Sequence, residues 1–511
     1  MLQIKKLTIK DLKNHILLEN FNYSLGNSDK VGIIGEEGNG KSTLLKAIKQ
    51  KELIEDYVVI EGDIITNFKH IAYFEQQIHL KWMDAEIYEY LLKKDVDDEI
   101  EPHQYNELLA YETMCQHLFL PSDFIQRQQT LKTLSGGEKV KLQLLKLMHE
   151  PMELLLLDEP TNDLDIETLM WLEHLILTLP IPVMFISHDE TLLEHCANVL
   201  IHLEQLNKKT KCKANIYRGS YQAYVKERYS SREKDMQLAQ KEKQEYKKKK
   251  IKLNDQMNAV HDALNDTVRD PGKAAMLMHK MKNIKSLEKR FEKEGYTHVD
   301  SIEEAIDVHF EPCALPESKR ILELYMDHLS IGDQCLLCDI TLSVYGNEHI
   351  VITGKNGCGK SLLMKHIYHI LKQREDIKLC YMPQNYMDRF EADDTPIRFL
   401  IQTGDQQEIT LIRELLGRMK FTREEMEHHV LSLSEGQKAK LYLIKAIKER
   451  CNVLLLDEPT RNLSPLTNPM IRKILSDFEG CIIAISHDRK FIEEVADKEY
   501  HIAHHHLYLM D

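Results

Sequence analysis

Residues 154–165 read LLLLDEPTNDLD, and residues 453–464 read VLLLDEPTRNLS. In each, a run of bulky apolar residues ends on two acids. This is the pattern of a parallel strand buried on both faces, whose carboxylates emerge at the edge where open α/β sheets bind ligands. There the first acid, Asp158 or Asp457, can hold Mg²⁺ through a water, and the second, Glu159 or Glu458, can polarise an attacking water. About two dozen residues later each stretch is followed by another apolar run ending in Ser-His-Asp, at 187–189 and 486–488. His188 and His487 therefore fall at the tip of a further strand. The same sequel in both places makes an internal repeat.

The acids need a phosphate to act on, and each copy carries a loop for one upstream. The first is GEEGNGKST, comprising Gly35, Glu36, Glu37, Gly38, Asn39, Gly40, Lys41, Ser42 and Thr43. The second is GKNGCGKS, comprising Gly354, Lys355, Asn356, Gly357, Cys358, Gly359, Lys360 and Ser361. Both fit G-x-x-x-x-G-K-[ST], follow an apolar strand (VGII, IVIT) and open a helix (LLKAI, LLMKHI), the context in which glycines let backbone N–H groups close around phosphate oxygens. Lys41 and Lys360 would neutralise β/γ-phosphate charge, and Ser42 and Ser361 would ligate Mg²⁺.

Between loop and acids lies a third element, TLSGGEKVKLQLLKLM from Thr133 and SLSEGQKAKLYLIKAI from Ser432. Ser135 with Gly136 and Gly137, and Ser434 with Gly436, would open basic amphipathic helices whose N-terminal amides accept an anion. A P-loop ATPase has no need of two anion sites per copy unless one serves a neighbour. With a Gln after a strand (YFEQ, Gln76; YMPQ, Gln384), these motifs in this order resemble the ABC ATPases over about 430 of the 511 residues. The resemblance implies an α/β fold with two P-loop ABC-type nucleotide-binding domains in tandem. It implies ATP and Mg²⁺ as ligands, with Ser42, Gln76 and Asp158, and Ser361, Gln384 and Asp457, around the metal. It further implies a head-to-tail sandwich in one chain, a functional monomer, in which each P-loop faces the other copy's signature serine and His188 and His487 sense the γ-phosphate.

The chain has room for two or three domains. No stretch approaches the roughly 18 consecutive apolar residues of a membrane span, and MLQIKKLTIKDLK has no apolar core of a secretory signal. No membrane partner is expected within the chain, which excludes a self-contained transporter. Ten cysteines scattered without metal spacing suit a reducing cytoplasm. The lone Cys335-x-x-Cys338 falls in an apparent strand, Cys358 is a small residue that fits its loop, and His504, His505 and His506 read as a solvated polar tail. A net charge of −15 argues against nonspecific nucleic-acid binding by the whole surface.

Residues 217–295 differ in character, with 20 Lys and Arg against 12 Asp and Glu, a net of +8 that leaves −23 for the rest. Lys247, Lys248, Lys249 and Lys250 form a cluster. Apolar residues recur at threes and fours, at Tyr246, Leu253, Met257, Val260 and Leu264, then at Leu277, Met281, Ile284, Leu287 and Phe291, so two helices are expected to zip along a narrow seam. Asp270-Pro271-Gly272 marks the expected hairpin tip. A helix from about Ser220 to Leu264 would extend ~65 Å, projecting beyond the ATPase units. A solvated spacer is the plain reading of a basic coil. Its place between paired ATPase domains points instead to backbone and shape contacts with folded RNA.

This arrangement looks like the ABC-F family of ribosome-associated ATPases. The domains expected are 1–216 and 296–511 for the ATP-binding units and 217–295 for the basic α-helical hairpin linker. The likeness implies binding of the 70S ribosome near the tRNA exit site, against 23S rRNA and peptidyl-tRNA. The second DEPT continues as RNLSPLTNP, and no arm insertion is present between Gln76 and Ser135. Both features resemble the antibiotic-resistance branch of Gram-positive bacteria, which acts against lincosamides, pleuromutilins and streptogramin A. Val268, Arg269, Lys273, Met276 and Met278 near the tip are the matching contact candidates. A housekeeping translation factor, a soluble ATPase subunit of an importer and a chromosome-organising ATPase are the competing readings. Upstream of the P-loops, where many ABC proteins stack an aromatic ring on adenine, only KDLKNHILL and SIGDQCLL occur. Ser464 stands where the first copy has Asp165, and Glu435 where the first signature has Gly136, so the two sites are expected to differ in rate.

Overall fold

The computed structural model describes residues 1–12, 14–75, 78–117, 120–121, 123–161, 164–206, 211–266, 271–294, 310, 314–332, 334–386, 390, 393–461 and 463–510. The first half contributes β1 (Leu2–Asp11), β2 (Ile16–Leu25), β3 (Lys30–Gly35), β4 (Val58–Thr66), β5 (Ile71–Phe74), β6 (Leu154–Asp158), β7 (Val183–Ile186), β8 (Val199–Leu206) and β9 (Lys211–Arg218). The second contributes β10 (Arg320–Ile331), β11 (Gln334–Tyr345), β12 (His349–Gly354), β13 (Leu379–Met382), β14 (Val453–Asp457), β15 (Cys481–Ile485), β16 (Lys498–Ala503) and β17 (His506–Leu509).

The two central sheets match strand for strand, in the orders β5-β6-β7-β3-β8-β9 and β13-β14-β15-β12-β16-β17. Within each, only the last strand is antiparallel to its neighbour. Every residue of β3, β6, β12 and β14 is buried, the reason these strands are continuous apolar runs. β1, β2 and β4 form a separate antiparallel sheet, and β10 pairs with β11. These outer strands alternate buried and exposed residues and pack their inner faces onto the central sheets.

Register places the chemistry. Asp158 lies beside Ile186, two residues before His188, and Ile186 lies beside Ile33, two residues before Gly35. Asp457, Ile485 and Ile352 repeat the alignment. Acids, histidine and phosphate loop thus leave the same carboxyl ends of three adjacent strands, where open α/β sheets bind ligands. The turn out of β3 requires glycine. Gly35 has φ +152°, and a Cβ there would lie 2.5 Å from the Leu203 carbonyl oxygen; Gly354, at φ +139°, would meet Ile502 O at 2.8 Å.

The chain divides into two compact units, Met1–Tyr221 with Ala305–Asp511, and Gln222–Glu304. The second holds the helices Tyr221–Asp266 and Pro271–Glu294. Val260 and Ile284 are buried, and Tyr246, Leu253, Met257, Leu264, Leu277 and Met281 are partly buried, so these seam positions are covered as their spacing requires. Leu287 is 56% exposed, a departure from the expected seam. Pro271 and Gly272 open the second helix, just past the break after Asp266, because proline's fixed φ suits the first helical position, where an N–H has no helical partner. Asp270 lies outside the described residues, and Phe291 lies in a helix whose side chain there is not described.

His504 and His505 are exposed, in keeping with a solvated end, and are held in an ordered turn. Both have left-handed φ, +47° and +66°, in the turn joining β16 to β17. His505 is tied to the Leu336 carbonyl through Nδ1 at 3.0 Å and accepts the Cys338 N–H at 2.7 Å. Among the described residues no helix is long and apolar enough to cross a membrane.

Candidate functional site

In each half a glycine in the left-handed region, Gly40 at φ +79° and Gly359 at φ +105°, turns the loop into the helices Lys41–Lys49 and Lys360–Leu371. The lysines fold back over their own loops. Lys41 Nζ donates to the carbonyls of Gly35 (2.9 Å) and Glu36 (3.0 Å), and Lys360 Nζ to those of Gly354 (2.7 Å) and Lys355 (2.9 Å). Burial lowers both lysine pKa values, offset for Lys41 by nearby acids, Glu159 first. The Asn39 side chain donates to Leu203 O at 2.9 Å and braces the loop against β8. Gly38 and Gly357 face open space, so a ligand can approach their backbone closely. Burial pushes the Cys358 thiol up, which favours a packing role over a reactive one, and Thr43 lies beside Tyr57.

Ser42 Oγ donates to Asp158 Oδ1 at 2.9 Å, and Tyr73 OH donates to Oδ2 at 2.9 Å. In the second half Asp457 Oδ1 is buried without a hydrogen-bond partner. Burial pushes that carboxyl up to about 6, against the lowering effects of the Ser361 hydroxyl and Lys360. A hydroxyl and a carboxylate converging beside a phosphate loop, with an orphaned carboxylate oxygen in one copy, fit a hard divalent cation. Gln384 is exposed and lines the same space; Gln76 lies outside the described residues.

The acids that follow sit in an unusual backbone state. Glu159 has φ +48° and Glu458 φ +56°, a left-handed conformation that costs a non-glycine residue of order 1–3 kcal/mol and collects at functional sites. It brings each carboxylate to the histidine of the next strand, with Glu159 Oε1 3.4 Å from His188 Nε2 and Glu458 Oε1 3.7 Å from His487 Nε2. Burial, then the Asp457 charge, raises the Glu458 pKa, while burial lowers His487 to about 4 and leaves it a neutral imidazole at pH 7. His188 also reaches across the halves, its Nδ1 lying 2.9 Å from the Leu463 carbonyl.

Ser135 and Ser434 cap the helices Gly136–His149 and Glu435–Lys448 through capping boxes with Glu138 and Gln437. The structure brings each signature to the opposite P-loop. A cavity of about 740 Å³ is lined by Lys360, Ser361, Asn356, Asp457, Glu458 and His487 from the second half and by Ser135, Gly136 and Lys139 from the first. A second, smaller pocket brings Glu36 and Glu37 of the first half to Ser434, Gly436 and Ser464 of the second. Lys355 adds a cross-half ion pair to Glu167 at 3.1 Å.

Sequence reading missed Tyr73, whose signal was its fixed place three residues before Gln76. It also missed an aliphatic wall beside the phosphate loops. Ile331 and Leu336 line the larger cavity, and Leu336 and Leu17 lie against the glycines before the two lysines, where a Cβ would meet them at 3.3 and 3.2 Å. Both leucines fall in the segments noted for lacking an aromatic ring.

In the helical unit Lys247, Lys248, Lys249 and Lys250 are exposed, as are Met276 (77%) and Met278 (67%). Lys273 lies in the second helix, and Val268 and Arg269 lie outside the described residues.

The chain is similar to "Probable ATP-binding protein YheS" of Haemophilus influenzae, 27% identical over 96% of this chain and 77% of that protein. It is similar to "ABC transporter F family member 2" of Arabidopsis thaliana, 24% identical over 96% of this chain and 74% of that one. Its fold resembles that of an archaeal ribosome recycling factor solved with a ribosomal stalk protein, with a TM-score of 0.56 at 15% identity over 98% of this chain and 87% of that one. The ABC transporter family pattern matches residues 18–162 and 337–461, more than half of the sequence. Two matching sheets, two phosphate loops and these matched segments place the chain in the ABC transporter family, as an ATPase with two tandem ATP-binding domains that uses ATP with Mg²⁺.

Proposed function

We propose that this chain is an ABC-F type ATPase that binds the ribosome, near the tRNA exit site and peptidyl-tRNA, and leaves it on ATP hydrolysis. The observation that carries the reading is a basic helical segment, net +8 over residues 217–295, inserted between ATPase halves whose sites are shared. It is supported by the name of the Arabidopsis relative and by the ribosomal role stated for the archaeal factor.

In the proposed cycle, each ATP lies between one half's P-loop and the other half's signature serine, so two nucleotides hold the halves together. Lys41 and Lys360 neutralise the β/γ-phosphates, and the helix N-termini behind Ser135 and Ser434 meet the γ-phosphate from the opposite side. Glu159 and Glu458 orient the attacking water and take its proton, with His188 and His487 sensing the γ-phosphate from their places beside the glutamates. Ser42 with Asp158 and Ser361 with Asp457 would hold Mg²⁺, which when bound would neutralise charge on the transferring phosphate. Loss of the γ-phosphate removes the bridging charge, and the halves release.

The raised Asp457 pKa gives a pH signature. The folded apoprotein holds this proton from about 4 to about 6, while the unfolded chain has released it, so this group's contribution to stability falls as pH rises through that window. Cation binding needs the carboxylate, so metal affinity at this site drops about tenfold per unit below pH 6. The MgATP-induced rise in unfolding temperature is expected to shrink between pH 7.5 and pH 5 more steeply in wild type than in Asp457→Asn. Parallel curves would remove Asp457 from the metal site.

The proposed RNA contact is tested by replacing Lys247, Lys248, Lys249 and Lys250 with alanine. Ribosome affinity should fall, and the slope of log affinity against log salt should lessen by about one for each phosphate no longer neutralised by a lysine. An unchanged salt slope would exclude the cluster from RNA binding. Within this reading we assign the chain to protection of the peptidyl transferase centre against lincosamide, pleuromutilin and streptogramin A drugs. This is supported by RNLSPLTNP after the second DEPT and by exposed Met276 and Met278. Growth inhibition across a drug panel, with and without the intact gene, decides it. Equal inhibition in the two strains would leave the housekeeping translation factor.

A further inference from the structure

The two halves also meet at a charged seam that uses no nucleotide motif. A constant spacing of 299 positions separates Ser135 from Ser434, Asp158 from Asp457 and His188 from His487, so residues in this part of the repeat can be matched one to one. By that spacing Glu173 corresponds to Arg472 and Glu190 to Arg489. Arg472 NH1 donates to Glu190 Oε1 at 2.6 Å across the halves, and NH2 reaches Oε2 at 3.3 Å. The reciprocal contact is Arg489 to Glu173. Each pair is the other's image under the repeat, with every charge inverted.

The surroundings keep the pairs in register. Asp189 and Asp488, acidic in both halves, cap the helices Glu190–Cys196 and Arg489–Val495 by accepting their first N–H groups. Glu494 accepts from Arg472 Nε at 2.7 Å within the second half, and His195, its counterpart, meets Glu173 at 2.9 Å within the first. Lys490 adds contacts to Glu190 and Glu194. The Arg472 and Glu190 side chains are 2% and 5% exposed, so neither charge is relieved by water if its partner is wrong.

We infer that this inverted pair of ion pairs is a partner-selection surface: the first half accepts a second half and rejects another first half, and the second half likewise. Two first halves docked in the same geometry would bury Glu173 against Glu190 twice over, and two second halves Arg472 against Arg489. The shared layout of the nucleotide motifs gives no such discrimination, because each P-loop would find a signature serine in any pairing. The seam supplies the repulsive element that specificity between similar surfaces requires.

The test uses full-length chains. Glu173→Arg with Glu190→Arg makes both faces basic; Arg472→Glu with Arg489→Glu makes both acidic. Each double variant is expected to lose at least about tenfold in steady-state ATPase. The fourfold exchange should recover to within about twofold of wild type as a single-chain species by light scattering. Coexpression of the basic-face and acidic-face chains should restore activity in a species of two chain masses, since each half then finds an opposite charge only in the other chain. Full activity in either double variant would overturn the assignment. If a double variant is insoluble alone, the fourfold exchange and the coexpressed pair still decide, because neither contains a like-charge contact; failure of both to recover would also overturn it.

Discussion

Replacing Glu159 and Glu458 together by glutamine is expected to lower steady-state ATP hydrolysis by at least about a hundredfold while leaving ATP binding intact. Glutamine keeps the volume, and its amide can still hydrogen-bond the histidine of the next strand, but it cannot take a proton from water. Burial and the Asp457 charge raise the proton affinity of Glu458 above that of an exposed carboxylate, the direction a general base near neutral pH needs. The doubly changed protein should therefore accumulate with nucleotide held between its halves and co-sediment with ribosomes in ATP. If it hydrolyses ATP at more than a tenth of the wild-type rate, these glutamates are not the proton acceptors. The single changes should be unequal. The site with Lys360 and Ser135 has Asp165 near His487, whereas the site with Lys41 and Ser434 has Ser464 at the corresponding place. Phosphate release in single turnovers by each single variant measures the difference, and equal losses would mean that the sites act alike.

Arg472→Ala should cost roughly 3 kcal/mol of stability, at the lower end of what breaking a buried ion pair costs. The guanidinium serves two carboxylates, Glu190 across the halves and Glu494 within its own, and alanine leaves both behind with a void. The loss is held to the lower end because burial already pushes the Glu190 carboxyl up, so it can take a proton once its partner is gone. Chemical denaturation at pH 7.5 and pH 5.5 checks both statements: the deficit should be larger at the higher pH. A deficit under about 1 kcal/mol at pH 7.5 would show that the seam contributes little to holding the fold.

The elements that the sequence displays most clearly are those buried on both faces. β3, β6, β7, β12, β14 and β15 are short apolar runs closed by a polar motif, and burial alone makes them strands. Much of the antiparallel periphery was not legible. β2 and β4 carry only a broken alternation, interrupted by charged residues and by register shifts where β1 bends. The phosphate loops, acids and histidines could be named from motif chemistry, because backbone amides, a lysine and a hydroxyl must occur in that order to surround a phosphate. Leu17 and Leu336 could not, since an aliphatic wall has many ordinary uses and only the fold shows what it faces. Leu287 fits the helical spacing of the seam and is nonetheless exposed, because spacing assigns a face and not the presence of a neighbour. The inverted ion pairs were invisible for a related reason. Charges on surface helices are common, and their meaning appears only when the halves are laid against each other.

The left-handed backbone at Glu159 and Glu458 carries a cost that the fold has no reason of its own to keep. Glycine would occupy that corner at ease, and a chain selected only for endurance would drift towards it. Two carboxylates standing in a conformation that suits neither mark where durability has been given up, twice over in one polypeptide, for the ability to let go.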